Sequence, residues 1–202
     1  MNRKIGIYSS VMNIAAVSGF ALSMLIGTNF GSYFTSMFIA FSFVPMMCAF
    51  NSYGKTEHKA AGYTSMIFAG AYMVFILVVY FTQVTSVRLD GLQKEALQII
   101  DYQYFGLFFN YDLLGYGLMA LSTFFAGFTV DVKSKSDKWL KALLQIHGIF
   151  FISCFFIPIL GLFSTDKEGA DWIGTMVLEF WCIYFIPVGI LSLLYFLNKS
   201  KE

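Results

Sequence analysis

No charged residue occurs between Lys4 and Lys55, a run of fifty residues. A helix needs about 20 apolar residues to cross a hydrocarbon core of about 30 Å. The run is long enough for two crossings, and the polar residues Thr28 and Asn29 near its middle favour a turn. It therefore predicts two membrane spans, at about 5–27 and 33–53.

The spacing of charges along the rest of the chain predicts four more spans, at about 60–83, 105–130, 140–163 and 172–197. The composition agrees with this interpretation, because 58% of the residues are hydrophobic and only 12% are charged. Soluble domains have about a quarter of their residues charged. The predicted fold is therefore all-α: a polytopic integral membrane protein whose single membrane domain, residues 1–202, is a six-helix bundle.

Lys and Arg are distributed unevenly between the two predicted sides of the membrane. Ten of the thirteen lie in the tails and in alternate loops: Arg3, Lys4, Lys55, Lys59, Lys133, Lys135, Lys138, Lys141, Lys199 and Lys201. Short loops rich in these residues stay in the cytoplasm. The pattern predicts a multi-pass protein of the cell membrane, of the bacterial plasma-membrane type, with both termini cytoplasmic.

The predicted outer side is mildly acidic, with six acidic residues against three basic ones. Its longest loop joins spans 3 and 4 and carries Leu89, Leu92, Ala96, Ile99 and Gln103 at helical spacing. This pattern predicts an amphipathic helix on the outer face. Such a helix either completes the outer surface or acts as a lid.

Two carboxylates interrupt the predicted spans. Asp112 lies in the span 105–130 and Glu179 in the span 172–197, at nearly equal depth in the outer half. On a helical projection the Asp112 face continues through Gly115 and Tyr116, so the carboxylate is expected to face the bundle interior. The alternative is that both carboxylates lie at the outer boundary, in water.

Apart from Lys141, at the cytoplasmic edge of the span 140–163, no Lys or Arg lies within a span to neutralise these carboxylates. If the two meet, one is expected to hold a proton, and the pair is suited to a proton or to a small cationic or proton-coupled ligand. Aromatic neighbours would assist a cationic ligand. The candidate ligand-binding or proton-binding residues are Asp112, Glu179, Asn110, Tyr111, Tyr116 and Thr175.

His147, in the fifth predicted span, has two interpretations. One is a proton relay, because histidine changes charge near physiological pH. The other is a structural histidine, hydrogen-bonded to a neighbouring helix. A lone histidine makes no metal or haem site, and the cysteines have no CxxC spacing, so no metal and no cofactor are predicted.

Small residues recur every four positions in the first span: Ala15, Gly19, Ser23 and Gly27. Such a stripe allows helices to approach closely. It serves either packing within the chain or docking of a membrane-protein partner or a second copy. The lipid bilayer is the surrounding partner, and the net charge of +1, without a basic stripe, predicts no nucleic-acid partner.

With its six spans, cytoplasmic termini and small-residue first helix, the chain resembles the substrate-binding subunits of energy-coupling-factor vitamin transporters. The resemblance covers the architecture of the whole chain and no ligand motif. It implies that the first helix docks a partner.

Three functional hypotheses follow from the sequence. The first is a small transporter or ligand-binding membrane protein that uses the acidic pair. The second is a non-catalytic membrane subunit or accessory protein that docks through the first span. The third is an intramembrane enzyme, although the chain has no HExxH, GxSxG or glycine-rich phosphate loop, so it is not predicted to be an enzyme.

Overall fold

A computed structural model describes residues 1–162 and 170–199, and the side chains of residues 1–162 and 174–199. Within these ranges the chain is helical and contains no strand. The eight α-helices are α1 (Asn2–Ile26), α2 (Asn29–Tyr53), α3 (Lys59–Thr82), α4 (Lys94–Ile100), α5 (Leu107–Thr129), α6 (Lys135–His147), α7 (Phe150–Ile159) and α8 (Ala170–Leu197). Short 3₁₀ turns occupy Thr56–His58 and Tyr102–Tyr104, and a π-helical turn follows α3 at Gln83–Val87.

Five helical segments of the described chain are long and apolar enough to cross a membrane, by length and composition. They are Asn2–Ile26, Asn29–Tyr53, Thr56–Val87, Lys135–Ile159 and Gly174–Leu197. The all-helical prediction is confirmed for the described residues, and the five apolar helices are consistent with a protein embedded in a membrane. Helix α5 forms where the fourth span is predicted but is not among these five, so six spans stay a prediction.

The predicted outer amphipathic helix is much shorter than the stretch from Leu89 to Gln103 over which its pattern runs. The helical backbone that continues from α3 ends after Leu89, the chain is non-helical through Gly91 and Gln93, and α4 covers only seven residues. Glycine weakens a helix interior. The carboxylate of Asp101, at the end of α4, accepts from Gln103 N at 3.0 Å and so starts a turn instead.

The predicted span 140–163 begins earlier and is interrupted. Ser134 accepts from the backbone N–H of Asp137 at 3.2 Å, and Asp137 accepts from Ser134 N at 2.9 Å. This capping box starts α6 at Lys135. The helix breaks after His147, at Gly148. An added Cβ at Gly148 would lie 2.9 Å from Phe124 of α5, so the backbone approaches α5 too closely there for a larger residue. Residue 163 lies outside the described residues.

Six helices form a closed ring in which each packs against the next, in the order α1, α2, α3, α5, α6 and α8, with α8 returning to α1. Helix α7 lies outside the ring and packs against α5. Helices α2 and α5 also contact each other across the interior of the ring. Buried aromatic side chains fill much of the interior. Asn13 donates to Ser42 at 3.0 Å between α1 and α2, and Ser122 donates to the Ser65 carbonyl at 2.8 Å between α5 and α3.

The two ends of the ring differ in charge. What we term the terminal end holds the start of α1, the end of α8 and the loops 54–58 and 130–134. A salt bridge of 3.2 Å between Lys55 and Asp131 joins these two loops. Arg3 donates to the Leu197 carbonyl there. What we term the far end holds the α1–α2 turn, where Gly27 adopts a left-handed conformation with φ 76°, and the segment 88–106. The basic loops therefore gather at one end.

The small-residue stripe of α1 is partly used within the chain. A Cβ at Gly19 would lie 3.0 Å from Thr35 of α2, and a Cβ at Gly31 of α2 would lie 2.6 Å from Ser23. Ala15, in contrast, is exposed. Gly19 and Ser23 thus allow α1 and α2 to pack closely.

Replacing Gly19 by leucine is expected to destabilise the fold by about 1–3 kcal/mol, because the larger side chain overlaps Thr35. The measurement is the free energy of unfolding of the purified protein in detergent or bilayer. Ala15→Leu, on the same stripe but exposed, is the matched control and should leave stability unchanged. Equal effects of the two substitutions would contradict this packing.

The contact between the two basic loops predicts a dependence on pH. The hydrogen bond from Lys55, with the lysine charges around it, lowers the pKa of Asp131. A carboxylate whose folded-state pKa is depressed stabilises the fold above its unfolded pKa, about 3.9, and this contribution is lost as the pH falls through the folded-state value. Asp131→Asn should therefore lower the unfolding temperature at pH 7, and the difference should shrink as the pH falls through the lowered pKa of Asp131. Asp90→Asn, an exposed change, should have no effect across this pH range.

Candidate functional site

Asp112 lies one and a half turns inside α5 and is 1% exposed. The face predicted to point inward is buried throughout, at Asp112, Gly115, Tyr116, Met119, Ser122, Thr123 and Ala126. The hydroxyls of Tyr80 and Tyr102 approach the Asp112 carboxylate. Its Oδ1 atom, however, has no hydrogen-bond partner. Asp112 is thus a buried acceptor with unused capacity.

Three tyrosines from three different elements meet beside Asp112. Tyr33 comes from α2, Tyr80 from α3 and Tyr102 from the 3₁₀ turn before α5. Their ring centroids are 5.5 Å apart for Tyr33 and Tyr80, 6.0 Å for Tyr33 and Tyr102, and 6.1 Å for Tyr80 and Tyr102. We call these residues the tyrosine cluster.

Burial, and then the nearby Asp112 carboxylate, raises the pKa of the Tyr102 phenol well above its ordinary value. The phenol therefore stays protonated at neutral pH. It remains a hydrogen-bond donor facing the carboxylate.

A second pair of tyrosines lies deeper in the ring of helices. The ring centroids of Tyr72 and Tyr116 are 5.7 Å apart, and both hydroxyls are buried without a hydrogen-bond partner of standard geometry. Tyr116 also meets Trp181 of α8 edge-on at 5.4 Å. The polar interior thus continues from Asp112 toward α8.

Gln83 fixes the position of Tyr102. It lies in the π-helical turn after α3 and is 3% exposed. Its Oε1 accepts from Tyr102 N at 3.1 Å, and its Nε2 donates to the Ile100 carbonyl at 2.7 Å. One side chain thus binds the Ile100 carbonyl and the Tyr102 N–H, and so holds the backbone between them. π-Helical turns of this kind frequently occur at functional sites.

A cavity of about 180 Å³ opens at the far end beside the tyrosine cluster. Its lining includes Tyr33, Gln83 and Asp101. Arg88 lies at the same cavity, with its guanidinium 4.7 Å from the centroid of Phe30. Tyr33 thus lines this cavity and is also electrostatically close to Asp112.

The structure does not bring Glu179 together with Asp112. Glu179 is half-buried in α8, with Oε1 lacking a hydrogen-bond partner, and the side chain it affects electrostatically is Cys182. Within the described chain no contact joins the two carboxylates. Thr175 lies one turn earlier in α8, half-buried.

The remaining candidates in α5 flank Asp112 without contacting it directly. Tyr111 is about one third exposed and packs against Phe75, with ring centroids 5.6 Å apart. Asn110 is half-buried in the turn before Asp112. These two side chains lie outside the tyrosine cluster.

His147 is 1% exposed and joins three helices. Trp181 Nε1 of α8 donates to His147 Nε2 at 2.9 Å, and His147 Nδ1 lies 2.7 Å from Thr123 Oγ1 of α5. An indole N–H can only donate, so Nε2 is the acceptor and the ring proton lies on Nδ1. Thr123 then accepts from His147 and donates to the Ala120 carbonyl at 2.8 Å.

Both imidazole nitrogens are therefore occupied. A protonated imidazole would place an N–H against the indole N–H. This arrangement favours the structural interpretation of His147 over the proton relay.

Sequence reasoning missed the whole tyrosine cluster, including Tyr33, and also missed Gln83. Gln83 carried a signal, because it is a long polar side chain at the end of an apolar span. The tyrosines carried none, because aromatic residues are common in membrane helices and at their interfaces.

Within the described part of the chain, no group of three or more His, Cys, Asp or Glu side chains is placed to hold a metal ion. Comparison of the chain with protein-family models, with curated proteins and with solved structures found no match. The functional argument therefore depends on the geometry of the site.

Thr123→Val is expected to cost about 1–2 kcal/mol of stability, because it leaves the buried His147 Nδ1–H without an acceptor. The free energy of unfolding measures this. Thr64→Val is the matched control, since its hydroxyl donates only to Ala60 of its own helix. If both variants are equally stable, the hydrogen bond between Thr123 and His147 does not stabilise the fold.

Proposed function

We propose that the protein is a six-span membrane protein that binds a small cation, either a proton or a small cationic ligand, at Asp112. One observation carries the proposal: a carboxylate that is almost fully buried, has a free acceptor atom and is paired with no cationic side chain of the described chain. An ionised carboxylate in such a place is costly unless a cation or a proton neutralises it. Transport and ligand sensing both use such sites.

The proposal takes α5 as the sixth span. Its 23 residues correspond to about 34 Å of helix, which exceeds the hydrocarbon thickness of about 30 Å. Packing of α2, α3, α6 and α7 around it supports this reading. A helix enclosed by others can carry polar residues because few of its side chains face lipid.

We further propose that the terminal end faces the cytoplasm. Ten of the thirteen Lys and Arg residues lie on that side of the predicted topology, and short basic loops are retained there. Asp112 and the cavity then lie in the outer half of the membrane. The site would receive its ligand from outside the cell.

The test is the thermal stability of the purified protein across pH and a panel of inorganic and organic cations. A ligand at 100 times its dissociation constant stabilises a protein by about 2.7 kcal/mol, which is easily measured. Asp112→Asn should remove the response to pH or to the ligand while leaving the fold intact. Asp90→Asn, the same change at an exposed position of the far end, should retain it.

Glu179→Gln distinguishes two versions of the site. If the carboxylates act as a pair, this variant loses the response as well. If Asp112 acts with the tyrosine cluster alone, the variant keeps the response. A wild-type response in Asp112→Asn would contradict the proposal in both versions.

A further inference from the structure

The geometry points to a small protonated primary amine as the ligand of Asp112, reaching it from the far-end cavity past Tyr33 and Tyr102. This inference rests on the cation site proposed above and adds the class of ligand and its route.

The groups around Asp112 suit an organic ammonium ion. Asp112 Oδ1 needs a donor, which an N–H group supplies. The hydroxyls of Tyr80 and Tyr102 approach the same carboxylate, and their oxygens can accept from further N–H groups of an ammonium ion. A quaternary ammonium ion has no N–H group to donate. Ca²⁺ requires six to eight oxygen ligands, and one carboxylate with its neighbouring phenols provides fewer than that.

The cavity and Asp112 are joined through Tyr33. Its hydroxyl is electrostatically close to both Asp101, at the cavity, and Asp112, inside the ring of helices. A cation passing Tyr33 thus moves from one carboxylate to another. Arg88, the cation at the cavity, is held against the Phe30 ring, whose face partly balances its charge.

The cavity is large enough for a small organic ligand. Its volume of about 180 Å³ is well above the roughly 10–15 Å³ that one water requires. An amine with a chain of two to four carbons therefore fits this space.

Tyr102 is the barrier on this route. Asp112 is almost fully buried, so any ligand larger than a proton requires a side chain to move. Tyr33 and Tyr80 belong to long helices, whereas Tyr102 belongs to a three-residue turn held by Gln83. We therefore assign the opening of the site to movement of the Tyr102 side chain, alone or together with the 101–105 turn.

The first experiment measures the unfolding temperature of the purified full chain with n-propylammonium chloride. Tetramethylammonium chloride and sodium chloride are compared at equal ionic strength. Propylammonium should raise the unfolding temperature, and the other two should not. Asp112→Asn should weaken the apparent affinity roughly thirtyfold or more, because a buried charge loses its partner. Asp90→Asn should bind as the wild type does.

The second experiment measures the rate at which a water-soluble carbodiimide modifies Asp112, read by mass spectrometry. Tyr102→Ala should raise this rate several-fold, since it removes the barrier but keeps the backbone bonds to Gln83. Tyr104→Ala, an exposed residue of the same turn, is the matched control and should leave the rate unchanged.

The outcomes separate the two proposals. No stabilisation by propylammonium, together with a pH response that Asp112→Asn abolishes, would overturn the amine and leave the cation site in place as a proton site. Loss of neither response in Asp112→Asn would overturn both. Equal modification rates in Tyr102→Ala, Tyr104→Ala and the wild type would overturn the route past Tyr102.

Discussion

The cost of burying one carboxylate governs the arrangement of the far end. Asp112 lies where water is excluded, and neither Lys nor Arg is paired with it within the described residues. Phenol donors from Tyr80 and Tyr102 stabilise a carboxylate without cancelling its charge. In the function that we propose, a group that brings positive charge completes the site, and this would connect the packing of α3 and α5 to a functional role.

The rest of the molecule holds this site in position. The ring of helices closes through the contact of α6 with α8. At this contact Trp181 donates a hydrogen bond to His147, and His147 is hydrogen-bonded in turn to Thr123 of α5. Hydroxyl contacts between α3 and α5 keep Tyr80 and Asp112 in register. Only the 101–105 turn reaches the site without belonging to the ring.

Much of the fold could be predicted from the sequence, because a membrane makes helix length and charge spacing decisive. The inward face of α5 was predictable for the same reason, since its polar residues recur at helical spacing. The partner of Asp112 was not predictable. Two carboxylates at equal depth suggested a pair, but depth does not fix rotation about the helix axis or which helices are neighbours. The chain instead places α3 and the Tyr102 turn beside Asp112, and α8 farther round the ring.

The π-helical turn at Gln83–Val87 shifts the hydrogen-bonding register of the backbone by one residue relative to α3. Such a turn holds one residue more than an α-helical turn, so its conversion to α-helix would rotate the following residues by about 100° relative to α3. Gln83 and Arg88 lie at opposite ends of this segment, and both face the cavity. A one-residue slip in hydrogen bonding would therefore turn the two side chains relative to each other. The end of α3 thus links the backbone register of one helix to the composition of the cavity wall.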